Sequence, residues 1–151
     1  MKKSVECKVE SLNNSKAKQS VKNLDERSIL DALNSISEMM RDAGLEPKKQ
    51  LGQNFLFDLN LTGRIARSVP DIENTTVIEV GPGPGGLTRA LLMAGAKHVI
   101  AIEKDKAAAP ILEKIAAASD GRLKVIFGDA LRFSSFGDVM GGAGLSQTCL
   151  A

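Results

Sequence analysis

Three features of this 151-residue chain predict an α/β fold built on a parallel sheet. Short apolar runs rich in β-branched residues, at 76–80, 98–102 and 123–127, alternate with helix-like segments at about 86–94 and 106–118. The connections between runs are long enough to return each strand parallel to the last, with right-handed crossovers. The first run, TVIEV, breaks directly into the glycine-rich loop GPGPGG. The expectation is a Rossmann-like βαβαβ unit preceded by amino-terminal helices, with a ligand loop at the carboxyl end of the first strand.

Taken in order, residues 1–22 form a lysine-rich polar arm that reads as a disordered basic tail. Ile29, Leu33, Ile36 and Met40 then recur at steps of three and four, predicting one amphipathic helix that Gly44 stops, with Pro47 beyond it. A basic, non-periodic link follows, EPKKQLGQNFLF. Asp58 can cap a short helix whose Leu61, Ile65 and Val69 share one face before Pro70 ends it. In the first crossover helix Leu87, Ala90, Leu91 and Ala94 make an apolar side, and Gly95 suits a left-handed ending. Pro110 belongs in the first turn or two of the second crossover helix, where fewer backbone donors are lost.

Beyond Leu131 no strand or helix period is sustained, so residues 132–151 are expected to be irregular and the central strand to keep an unpaired edge. The domain reading is therefore a basic tail (1–22), a partial cofactor-binding domain (23–131) and an irregular end (132–151), with the chain expected to be truncated.

Composition narrows the classes. An apolar content of 43% with 25% charged residues is that of an ordinary soluble domain. The net charge of +2 hides an asymmetry, since six lysines against Glu6 and Glu10 leave +4 in residues 1–22 and −2 in the rest. No apolar run approaches a membrane span, and the start resembles neither a secretion signal nor a transit peptide, so a cytoplasmic location is expected. Cys7 and Cys149 stand far apart and His98 sits at a strand start, which indicates neither a disulfide framework nor a metal site.

The loop admits two parsings. Gly81, Gly83 and Gly86 satisfy the dinucleotide spacing GxGxxG, while Glu79 with Gly81, Gly83 and Gly85 satisfies ExGxGxG. A pyrophosphate wants several N–H donors, yet Pro82 and Pro84 supply none and Glu79 would repel it. A cationic ligand such as S-adenosylmethionine suits a carboxylate beside the loop better. Glu103 closes the second strand and Asp129 follows the third, so both carboxylates fall at the same sheet edge as the glycines. An acid at the first position can accept from a ribose diol, and one at the second from an adenine amine.

KKQLGQNFLFD (48–58), EVGPGPGGLT, AIEKD and GDAL together resemble the ribosomal small-subunit RNA adenine N6,N6-dimethyltransferase family, which shares its fold with the erythromycin-resistance RNA methylases. The resemblance runs from about Lys48 to Leu131 and implies a class I S-adenosylmethionine-dependent methyltransferase. By that resemblance Asn54 and Leu56 would line the methionine side of the cofactor site, Gly81 and Gly83 its backbone-facing edge, Glu103 the ribose and Asp129 the adenine. The implied partner is small-subunit ribosomal RNA in a pre-30S particle, with no membrane and no metal. The implied chemistry is methyl transfer to two adjacent adenosine amines, aided by alignment and by an extruded base.

The family's Asn-Leu-Pro-Tyr type motif has no counterpart here, because no asparagine follows Asn74, no proline follows Pro110 and tyrosine is absent, and the family's carboxyl-terminal helical domain is expected to be missing. No catalytic residue is assigned on this reading, and the chain by itself is expected to be poorly competent. A non-catalytic fragment that contacts RNA or assembling ribosomes through Lys48, Lys49 and the basic arm is the alternative, and an NAD-dependent oxidoreductase a third.

Overall fold

The computed structural model describes residues 26–46, 58–140 and 148–150. The tail 1–22 lies outside them, as do residues 47–57 and with these Asn54 and Leu56. In chain order the elements are α1 (Glu26–Ala32), α2 (Ile36–Asp42), α3 (Leu59–Arg67), β1 (Thr76–Val80), α4 (Gly86–Met93), β2 (His98–Glu103), α5 (Ala109–Ala117), β3 (Leu123–Phe127), α6 (Phe136–Met140) and β4 (Thr148–Leu150).

The predicted βαβαβ core is present. β1 pairs parallel with β2, placing Ile78 beside Ile100, and β2 pairs parallel with β3, placing Ala101 beside Val125. β1 and β2 are buried on both faces for nearly their whole length, which is why they read as continuous apolar runs rather than as alternation. On one face Val77, Val99 and Ala101 pack with Leu91 and Leu92 of α4 and Ile111 and Ile115 of α5. On the other, Ile78, Ile100 and Ile102 pack with Val139 of α6.

β4 corrects the expected unpaired edge. It lies parallel to β1 with Thr148 beside Thr76 and Leu150 beside Ile78, giving the sheet order β3-β2-β1-β4. Three residues carry no periodicity to find; the ladder to β1, not local propensity, makes them a strand. The short α6 also falls within the stretch expected to be irregular, and it is started by Ser135 and Asp138, whose side chains each accept from the other's backbone N–H. The chain therefore winds from β1 through β2 to β3 and returns on the far side of β1. That reversal puts the carboxyl end of β1 at the switch point where open α/β sheets take ligands.

The single amino-terminal helix expected from Ile29, Leu33, Ile36 and Met40 is two helices. Ser35 caps α2 in a reciprocal box with Glu38, accepting from the Glu38 N–H while the Glu38 carboxylate accepts from Ser35 N–H at 2.9 Å. The carbonyls freed at the end of α1 are taken by Arg89 of α4, whose Nη1 donates to Asn34 O at 2.9 Å and whose Nη2 donates to Leu33 O and Asp31 O at 3.1 and 3.2 Å. The apolar spacing passes through the break in phase, so periodicity alone could not reveal it.

α3 begins where expected, with Asp58 accepting from the N–H groups of Asn60 and Leu61. Its buried face differs from expectation. Thr62 and Ala66 are buried while Leu61 is 40% exposed, because small side chains let α3 approach α4 closely, and the Leu61 stripe lies to one side. α4 ends as expected at Gly95, which has φ of +99° and donates to Leu92 O while Ala96 donates to Leu91 O. Pro110 sits in the first turn of α5, where a missing N–H costs nothing.

Candidate cofactor site

Three strand ends are stitched into one edge by backbone bonds. Gly81 N–H donates to Ile102 O at 2.9 Å, and Gly128 N–H donates to Glu103 O at 2.8 Å. The loop after β1, the end of β2 and the turn after β3 thus form a single row containing Gly81, Gly83, Glu103 and Asp129. These four predicted site residues are brought together; Asn54 and Leu56 lie outside the described residues.

Glu103 is buried and its two oxygens are separately held. Oε2 accepts from Gly83 N–H at 2.9 Å and Oε1 from Asp105 N–H at 2.7 Å. An ionised carboxylate has about four acceptor positions, so each oxygen keeps capacity for a hydroxyl donor. Asp129 is more open. Its Oδ1 accepts from Leu131 N–H at 3.0 Å and its Oδ2 pairs with the exposed Lys104 ammonium at 3.1 Å. The Leu131 N–H first, and then Lys104, hold its carboxyl below the usual range, so Asp129 is an acceptor at neutral pH.

The glycines of the loop are required for different reasons. Gly81, Gly83 and Gly85 all have positive φ, of +73°, +53° and +85°. A Cβ on Gly81 would meet nothing within 4 Å, so its outer surface is open to a ligand. A Cβ on Gly85 would stand 2.5 Å from Ile115 Cδ1, so that glycine lets the loop settle onto α5. The amides are already committed: Gly81 donates to Ile102 O, Gly83 to Glu103 and Gly85 to Pro82 O at 2.9 Å, while Pro82 and Pro84 have none to give. Residues 81–85 therefore offer no N–H to a pyrophosphate. A hydroxyl-rich, cationic nucleoside makes no such demand.

Glu79, read in the sequence as the carboxylate beside the loop, has a more definite setting. It is 3% exposed and accepts from Thr88 Oγ1 of α4 at 2.6 Å. Burial pushes its carboxyl up to about 7, the Thr88 bond works the other way, and the nearby Glu103 adds to the rise. Sequence reasoning missed the Thr88 partner; the signal lay in the LT that follows the glycines, nine residues beyond Glu79.

Two cavities among the described residues lie elsewhere. One of about 450 Å³ lies between α3 and α4, with Asp31 and Arg67 at its rim, and one of about 420 Å³ lies between β1, β2 and α6. Neither is lined by Gly81, Glu103 or Asp129, which register and hydrogen bonding bring together. Among the described residues no group of three or more His, Cys, Asp or Glu is placed to hold a metal, and no helix is long and apolar enough to cross a membrane.

A parallel sheet with a glycine loop at its switch point and acids closing the next two strands defines the class I S-adenosylmethionine-dependent methyltransferase fold. Solved structures agree: a Pyrococcus horikoshii protein assigned as an RNA methyltransferase is similar, with a TM-score of 0.53 and 30% identity over 68% of this chain and 55% of that one. The chain belongs to the ribosomal RNA adenine dimethylase family, whose model matches residues 44–146. It is 60% identical over 103 residues to the ribosomal RNA small subunit methyltransferase A of Methylobacterium radiotolerans, covering 68% of this chain and 35% of the relative. It is 53% identical over 116 residues to the protein of that name from Mesorhizobium japonicum, covering 76% and 42%. The chain thus spans well under half the length of these relatives.

Proposed function

We propose that this chain forms the methyl-donor-binding part of an S-adenosylmethionine-dependent rRNA (adenine-N6,N6) dimethyltransferase acting on small-subunit ribosomal RNA in the pre-30S particle, in the cytoplasm. The observation that carries the reading is the use of the loop amides within the protein, beside a buried Glu103 that still has acceptor capacity. The names borne by the relatives supply the substrate class.

S-adenosylmethionine supplies an electrophilic methyl group on a sulfonium. The chain's own residues would hold and orient the donor. Glu103, anchored by two backbone amides, would accept from the ribose hydroxyls without having to reorganise. Asp129, kept ionised, would accept from the adenine amine in competition with Lys104. Gly81 would admit the ligand edge against bare backbone. Asn54 and Leu56 would border the methionine end, as the family resemblance implies.

The test is calorimetric titration of the chain with S-adenosylmethionine, repeated on Glu103→Ala and Asp129→Ala, with NADH as the competing ligand. The expected result is binding by the parent, weaker binding by both variants and no response to NADH. Binding of NADH that S-adenosylhomocysteine fails to displace would overturn the reading, as would parent and variants that bind S-adenosylmethionine equally.

A further inference from the structure

Glu79 and Glu103 share one face of the sheet on adjacent strands, since Glu79 is in register with Ala101 and Glu103 stands two residues further along β2. Both are buried, at 3% and 5% exposure. Two buried carboxylates on one face of adjacent strands disfavour each other's ionisation.

Their partners differ. Glu103 receives two backbone N–H groups, from Gly83 and Asp105. Glu79 receives one hydroxyl, from Thr88, and a hydroxyl can turn from donor to acceptor and so serve a carboxyl as well as a carboxylate. Burial and the Glu103 charge push Glu79 up to about 7 against the Thr88 bond.

Among the described residues, the other charged groups around it do not offset this. From α4 the neighbour is Arg89, but its guanidinium is spent on the carbonyls of Asp31, Leu33 and Asn34. From β2 it is Glu103. From β4 the facing segment is Thr148–Leu150, with Cys149 in register with Val77. The glycine loop brings no ionisable side chain.

We propose that Glu79, positioned by Thr88, is a specificity-determining residue of the donor site: it holds a proton while the site is free and gives it up to bulk solvent when a ligand cation settles at the glycine loop. The inference rests on the reading of this edge as the methyl-donor site. It adds that selection for a cation is made by a carboxylate whose charge appears only when that cation arrives. The cation is the sulfonium or the α-ammonium of the methionine moiety, and the two are separable because S-adenosylhomocysteine keeps the second and lacks the first.

The experiment is calorimetric titration of the 151-residue chain with each of these ligands at pH 6 and pH 7, in two buffers of different ionisation enthalpy. That range stays below the titration of the ligand's own amine. With S-adenosylmethionine the expected result is release of close to one proton at pH 6 and affinity about fivefold tighter at pH 7, the limit set by linkage to a group titrating near 7. The same behaviour with S-adenosylhomocysteine assigns the effect to the ammonium, and its absence there assigns it to the sulfonium; both support the proposal.

Glu79→Gln, neutral at every pH, should bind with no proton release and a flat pH profile. The proton count on the parent needs no variant, so a poorly folding substitution leaves the test intact. Binding of S-adenosylmethionine with no proton release and pH-independent affinity overturns this inference and leaves the donor-site reading standing. No binding of either ligand at either pH overturns both.

Discussion

The amide of Gly83 donates to the carboxylate of Glu103 at 2.9 Å, across twenty residues of sequence. The bond ties the loop after β1 to the end of β2, so Glu103 both orders the loop and presents acceptors beside it. Glu103→Ala should therefore do two things. Affinity for S-adenosylmethionine should fall at least tenfold, because a hydrogen bond to a charged group contributes about 1.5–3 kcal/mol. The Gly83 amide should also exchange its hydrogen faster, which hydrogen-exchange mass spectrometry or NMR would register. A variant with unchanged exchange at Gly83 would mean that the loop holds its shape without Glu103.

Gly81 and Gly85 should respond differently to alanine. Both carry positive φ, and a residue with a Cβ in that conformation costs about 1–2 kcal/mol. At Gly81 that strain is the whole cost to folding, since the new Cβ meets nothing within 4 Å. At Gly85 it would also stand 2.5 Å from Ile115 Cδ1 and 3.1 Å from Leu112 Cδ2, so overpacking adds about 1–3 kcal/mol. Urea denaturation should rank Gly85→Ala as clearly the less stable. Calorimetry should show Gly81→Ala losing affinity out of proportion to its stability.

Arg89→Ala should loosen the amino-terminal helices. It leaves three carbonyls at the end of α1 without their donor, an expected loss of about 2–3 kcal/mol. Arg89→Lys should recover only part of it, because an ammonium lacks the planar fork that spans several acceptors. Thermal or urea unfolding measures both, and equal stability of parent and Arg89→Ala would refute the assignment.

Stability should fall as pH rises through the window set by Glu79. Its folded value of about 7 lies above the ordinary 4.5, so between those values the folded state holds a proton that the unfolded state has lost. The loss across that window is about 3 kcal/mol, complete above pH 7, at roughly 1.4 kcal/mol per unit. Asp129 and Asp138 act in the opposite sense, since both are held below the usual carboxyl range and contribute less as pH drops through it. Glu79→Gln should flatten the decline and be the more stable protein at pH 8, as read from unfolding curves between pH 5 and 8.

β1 and β2 were legible because burial on both faces writes them as apolar runs, and Gly95 and Pro110 marked helix ends through backbone constraints that only glycine and proline impose. Gly81, Glu103 and Asp129 could be placed on one edge because parallel pairing aligns strand ends. Other features left weaker traces. The α3 contact runs through Thr62 and Ala66, whose small side chains weigh little in any hydrophobic pattern. The break before Ser35 was written in its capping box with Glu38, a signal that the in-phase spacing of Leu33 and Ile36 concealed. The Glu79–Thr88 bond joins a strand to the helix beyond the turn, a contact only three dimensions supply.

The Arg89 clasp on the end of α1 also carries a consequence for biosynthesis. A ribosome delivers α1 and α2 first, yet the guanidinium that secures them is not translated until 55 residues after Asn34. The leading helices must emerge unfastened and wait for a later stretch of message before their geometry is fixed. Nascent chains paused before Arg89 has emerged from the ribosome should keep their first helices open to protease, and chains extended until it has emerged should close them.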